Sequence, residues 1–292
     1  MRTRLFAVGL ILLTAAIGRS DQLLVAEFNA RQITGLQLDG LGAHIFAGGL
    51  VSRPEGLTLD GLNNVYVSEW GSAAENDFSR ITKISADGST RSTLANQTSL
   101  LCQFVLRDTD ILVPDFGSFI QRFDYSGTYL GNFAQPLGVS GPMGLAADSV
   151  GNIFVAGHSN GTVFKYDPTG QNHSTFLASG PVDGEMQFFG GNLYMARGNG
   201  VSEFDANAGL IHSFSVGSPV LGAAVDSSGF VYASVPSLGT IVKFAPDGTN
   251  LGTIATGLSD PQFLAIQSVP EPASVIAFAG LAIISVRRRR RQ

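Results

Sequence analysis

Residues 54–70 read PEGLTLDGLNNVYVSEW, and residues 142–158 read PMGLAADSVGNIFVAGH. Superposed, the two stretches share Pro, Gly and Leu at their start, an Asp before a turn of small or polar residues, and an apolar run centred on Tyr66 or Phe154. The second half returns as VDSSGFVYASV (225–235), centred on Tyr232, and weaker copies are centred near Leu112 and Tyr194. Successive centres lie 46, 42, 40 and 38 residues apart. A second series runs out of phase with the first: ITKISADG (81–88), IQRFDYSG (120–127), VFKYDPTG (163–170), VSEFDANAG (201–209) and IVKFAPDG (241–248), with a fainter ITGLQLDG (33–40). Its equivalents Leu36, Ile84, Phe123, Tyr166, Phe204 and Phe244 are spaced by 48, 39, 43, 38 and 40 residues. Two motifs sharing one long period mark a repeat architecture.

Each repeat holds several strands separated by Asp/Gly turns. A short apolar run follows each turn of the second series (HIFAG, STLAN, LGNFA, STFLA, HSFSV, LGTIA), and a Gly-Leu-type strand precedes the Asp turn of the first. Four antiparallel strands in about 40 residues describe a propeller blade. Six copies of the third-strand motif predict an all-β, six-bladed β-propeller. The first copy lacks a leading strand, because LLVAEF (23–28) opens it directly, and the last is followed by a spare strand, DPQFLAIQ (260–267). Pairing the spare strand with the opening one closes the ring and leaves no open sheet edge at the seam.

Composition agrees. Glycine makes up 36 of 292 residues, well above the usual ~7%, as many tight turns require. Cys102 stands alone, which excludes a disulfide scaffold. It lies in LLCQFVL and reads as a buried core thiol.

Both ends differ from the middle. Residues 1–20 carry Arg2 and Arg4 before an apolar run from Leu5 to Ile17, the pattern of a secretory signal peptide. Residues 21–268 form the propeller, and residues 269–292 form a tail. In that tail Val269, Pro270, Glu271 and Pro272 precede a short apolar segment, Ala273 to Val286, and then Arg287, Arg288, Arg289, Arg290 and Arg291. A helix is expected at each terminus, the second a short transmembrane one. The tail resembles the PEP-CTERM sorting signal. That resemblance implies an exported protein held transiently at the inner membrane by its C-terminal helix. It further implies cutting near Pro-Glu-Pro by an exosortase-type membrane protease and release to the cell surface or extracellular matrix, where the partners would be polysaccharide or surface proteins.

From Asp21 to Val286 the chain has ten basic residues against 23 acidic ones, a net charge near −13. Such a body lacks the basic footprint of a nucleic-acid binder.

The blade pattern resembles NHL-type repeats, with PDFGSFIQRFDYSG (114–127) the nearest local match. Propellers carry function on the face formed by loops entering each blade and loops between second and third strands. There the candidates are Arg53, Glu55, Glu69, Trp70, Asp115, His158, Asn160 and Arg197, with Asn199 and Asp260 beside them. Trp70, the only Trp, could stack on a sugar ring. Glu55, in its Pro-Glu-Gly turn, resembles the metal-ligand Glu of gluconolactonase-like six-bladed propellers. That resemblance implies a second reading, a metal-dependent lactonase or lyase holding Ca2+ or another divalent cation at Glu55; the equivalent places in blades four and six, GPMG (141–144) and LGAA (221–224), carry no Asp, and Asp115 and Asn160 are the candidates to substitute. There is no HExxH metal-binding motif. A binding or structural role is the first expectation.

Overall fold

The structure is a computed structural model. It describes residues 21–49, 51–71, 79–97, 102–115, 119–134, 141–157, 161–178, 180 and 184–268. The expected signal peptide, sorting motif and terminal helices lie outside these residues. Asp21–Ser268 forms one compact unit.

Within it are six four-stranded antiparallel sheets. Blade 1 is ordered β24 (Pro261–Gln267), β1 (Gln22–Glu27), β2 (Gln32–Gln37), β3 (His44–Gly48). Blade 2 is β4 (Pro54–Leu59), β5 (Val65–Glu69), β6 (Ser79–Ile84), β7 (Arg91–Gln97), and blade 3 is β8 (Val105–Leu106), β9 (Ile111–Asp115), β10 (Phe119–Phe123), β11 (Tyr129–Ala134). Blade 4 comprises β12 (Pro142–Ala147), β13 (Ile153–Gly157), β14 (Val163–Tyr166), β15 (His173–Leu177). Blade 5 comprises β16 (Met186–Phe189), β17 (Asn192–Arg197), β18 (Gly200–Phe204), β19 (Leu210–Ser215). Blade 6 comprises β20 (Ala223–Val225), β21 (Val231–Val235), β22 (Thr240–Phe244), β23 (Asn250–Ala255).

The ring closes as the sequence predicts. β24 pairs with β1, Gln22 opposite Gln267 and Leu23 opposite Ile266. Gln22 also donates a side-chain hydrogen bond to Gln267. Gln267 in turn donates to the carbonyls of Asn63 (2.9 Å) and Ala86 (3.0 Å), tying the seam to blade 2.

The core is divided among the interfaces between blades. One apolar cluster joins blades 1 and 2 through Leu24, Phe46, Leu57 and Val67. Another joins blades 6 and 1 through Leu23, Leu36, Tyr232 and Leu264. The second strands β5, β13 and β21 are buried at every position rather than alternating, because each blade is covered on both faces. Outer strands such as β19 are largely exposed.

Turn chemistry repeats with the blades. Asp60 accepts the N–H groups of Leu62 (3.0 Å) and Asn64 (2.9 Å), and Asp148 accepts those of Val150 (3.1 Å) and Asn152 (2.9 Å). The Asp-Gly pairs expected as hairpins are hairpins: Gly88 has φ +75° and a Cβ there would lie 2.2 Å from the carbonyl oxygen of Phe46.

Candidate functional site

First strands run from one face of the ring to the other, and second strands run back. The starts of β4 and β24 and the ends of β1 and β5 therefore share one face, which carries the rim. Three first strands are entered by a residue at positive φ followed by Pro: Arg53 (φ 46°), Gly141 (φ 61°) and Asp260 (φ 59°). Glycine adopts that conformation freely, whereas Arg53 and Asp260 hold it at a cost of about 1–3 kcal/mol, strain of the kind that gathers at functional sites.

Glu69 ends β5 fully buried. It accepts the N–H of Ser52, the Thr82 hydroxyl and the Arg80 guanidinium (3.1 Å). Glu27 repeats the arrangement at the end of β1, accepting the N–H of Ser259 (2.7 Å), the Thr34 hydroxyl and the Gln32 amide (2.9 Å). Each carboxylate pins the loop that enters its blade. Glu69 thus sits under the rim and is occupied by the protein itself.

The next residue in each case is aromatic. Phe28 and Trp70 meet edge to face, ring centroids 5.6 Å apart and planes at 82°. Trp70 is half-buried, and its indole N–H donates to Glu55. Glu55 is 4% exposed and also receives the thiol of Cys102. Burial pushes its pKa up to about 8, with the nearby Asp260 charge adding to the rise. The Cys102 thiol is pushed up by its own burial, and Glu55 adds to that. Asp260 accepts the Gln262 amide (2.9 Å) and the Asn29 amide (3.3 Å). Burial raises its carboxyl as well.

The structure thus gathers Arg53, Glu55, Trp70 and Asp260 with Phe28 and Cys102. Asp115 ends β9, where it accepts the Gln121 amide of its own hairpin (3.0 Å). Arg197 ends β17 with its guanidinium 5.8 Å from the Phe204 ring. Asn199 is an exposed loop residue whose carbonyl accepts the N–H of Val216 (2.9 Å). His158 and Asn160 lie outside the described residues.

The metal reading can be tested against these donors. Glu55 is occupied by the protein itself, accepting the Trp70 indole N–H and the Cys102 thiol. Among the described residues, no three or more His, Cys, Asp or Glu side chains are grouped to hold a metal. The described donors do not fit the cation that the lactonase resemblance implies.

The sequence reasoning missed Glu27 and Phe28. The signal was present: Glu27-Phe28 stands to β1 as Glu69-Trp70 stands to β5. It also passed over Glu185, which is buried just before β16.

Comparison with known proteins is consistent with this geometry. Residues 128–165 match the family model of a beta-propeller repeat. A solved nidogen/laminin complex contains a chain that aligns with a TM-score of 0.72 at 16% identity, covering 85% of this chain and 98% of that one. A gluconolactonase from Xanthomonas campestris aligns with a TM-score of 0.60 at 18% identity, covering 73% of this chain and 79% of its own. The body is a six-bladed β-propeller. Identities this low show the fold alone. The search of curated proteins returns no match.

Proposed function

We propose that the chain is an exported binding propeller of the cell surface or extracellular matrix, with its ligand held at the Phe28–Trp70 rim. Residues 269–292 act as a sorting tail that an exosortase-type protease cuts. The observation that carries the binding role is the anchored Trp70: a lone indole fixed through its N–H to a buried carboxyl and braced by Phe28. A rigid aromatic offers contact area at little entropic loss, and suits the apolar face of a sugar ring. The acidic body disfavours polyanions, so a neutral polysaccharide is the preferred polymer.

The test is retention of the mature exported protein on immobilised polysaccharides. Trp70→Ala should weaken retention about tenfold, while Tyr129→Ala on the exposed face of β11 should leave it unchanged. No retention on any polymer or surface protein overturns the binding role. Mass spectrometry of the mature C-terminus tests the sorting role, and an intact Arg287–Arg291 peptide overturns it. The lactonase reading rests on fold likeness, and the surroundings of Glu55 do not favour it.

A further inference from the structure

The first strands line the central channel with their free edges. Their inward N–H and C=O groups have no strand neighbour and need other partners. Side chains supply some of them: Gln187 accepts the N–H of Val225 in the next blade (3.0 Å), and two others reach across the ring. Gln103, in blade 3, donates its amide to the carbonyl of Met186 (2.6 Å) and accepts the Met186 N–H (2.7 Å), bridging to blade 5 past blade 4. Glu185, just before β16, places Oε2 between the N–H of Ala223 in blade 6 (3.0 Å) and that of Leu264 in blade 1 (2.8 Å).

Glu185 is 3% exposed, and no side chain partners it among the described residues. Its Oε1 is left over. It lines a cavity of about 350 Å³ that continues along the channel between Leu57–Leu59, Gln103–Leu106, Leu145–Ala147, Glu185–Phe188 and Leu264–Ile266. Among the described residues of that lining, Glu185 is the only titratable side chain. The edge N–H groups nearest the carboxyl are consumed by Glu185 and Gln103. In an antiparallel edge the carbonyl of a residue faces the same side as its N–H, so Ala223 and Leu264 also turn carbonyl oxygens to the channel. The surroundings of Oε1 are therefore rich in acceptors. At ~30 Å³ per water, the space takes an ion together with part of its hydration shell.

We propose that the channel is a binding site for a small cation, held by Glu185 Oε1, inner-strand carbonyl oxygens and water. It is separate from the rim and independent of the glycan-binding role.

The experiment is thermal melting and calorimetric titration of the full chain with the chlorides of sodium, potassium, magnesium, calcium and methylammonium, at matched ionic strength. One class should raise Tm by about 5–10 °C at a hundredfold excess over Kd. Calorimetric titration should saturate at about one ion per chain. Glu185→Gln keeps an oxygen for the Ala223 and Leu264 N–H groups but removes the charge, and should abolish both effects. Glu55→Gln should retain both, which separates the channel from the rim. An unchanged Tm with every cation, or equal shifts in wild type and Glu185→Gln, overturns the proposal. Should Glu185→Gln fail to fold, wild type decides: saturable uptake of about one ion per chain supports the site, and no saturable uptake overturns it.

Discussion

Ser68 and Ser234 show how a single hydroxyl secures the ring. Ser68 accepts the Gly56 N–H (2.8 Å) and donates to the Cys102 carbonyl (3.0 Å), so blade 2 is hooked to blade 3. Ser234 does the same for Gly222 and Gln262, between blades 6 and 1. The glycines are required there: a Cβ at Gly56 would lie 2.5 Å from the Cys102 oxygen, and one at Gly222 2.4 Å from that of Gln262. Ser68→Ala or Ser234→Ala should lower unfolding free energy by about 1–3 kcal/mol, through two buried groups left unpaired. Blade 4 already carries Ala156 opposite Gly144, so the fold should persist; urea denaturation measures the loss. Glu55 gives a pH signature. Its folded pKa of about 8 lies above the ordinary 4.5, so between those values the folded state keeps a proton that the unfolded chain has released. Stability from this group is therefore fully present below pH 4.5 and falls as pH rises towards 8. Glu55→Gln should flatten the slope of urea midpoint against pH, leaving the part that Glu185 contributes in the same direction.

At the scale of elements, the blades share a ladder of aromatic and cationic pairs. Lys83 lies over Tyr66 (5.0 Å), Lys165 over Phe154 (5.3 Å) and Lys243 over Tyr232 (5.1 Å), each pair directly opposite on second and third strands. Two of these lysines also reach the turn aspartates, Lys83 to Asp60 at 3.3 Å and Lys165 to Asp148 at 3.7 Å. Asp148→Ala removes two backbone contacts, the Asn152 amide and a lysine partner together. It should lower stability by about 1–2 kcal/mol, read from the shift in Tm. This ladder explains why the period was legible: Asp, aromatic and Lys recur because each blade solves the same turn and packing problem. First strands were harder to see. β8 has two residues and β20 three, too short to display an alternating pattern. The rim was legible as a location but less so as a set of roles. A Glu at the end of a second strand reads alike whether it meets a ligand or a loop, and only Ser52, Arg80 and Thr82 reveal that Glu69 is occupied. Glu185 gave no sign at all, because its partners Ala223 and Leu264 are 38 and 79 residues away.

The whole molecule depends on its seam. β24 contributes the fully buried Phe263, nearly buried Leu264 and the N–H that Glu185 captures. Ending the chain at Asp260 should abolish cooperative unfolding in circular dichroism, because β1 becomes an open edge and the channel loses one wall. Retained two-state melting would show that blade 1 closes without its inner strand. The register also sets orientation: Gln22 lies opposite Gln267, on the face away from Trp70, so the unit is entered and left at one point. Only when residue 267 is free to turn back beside residue 22 does a ring exist. A chain still emerging from a ribosome is an unfinished arc, and the last strand to arrive is also the clasp.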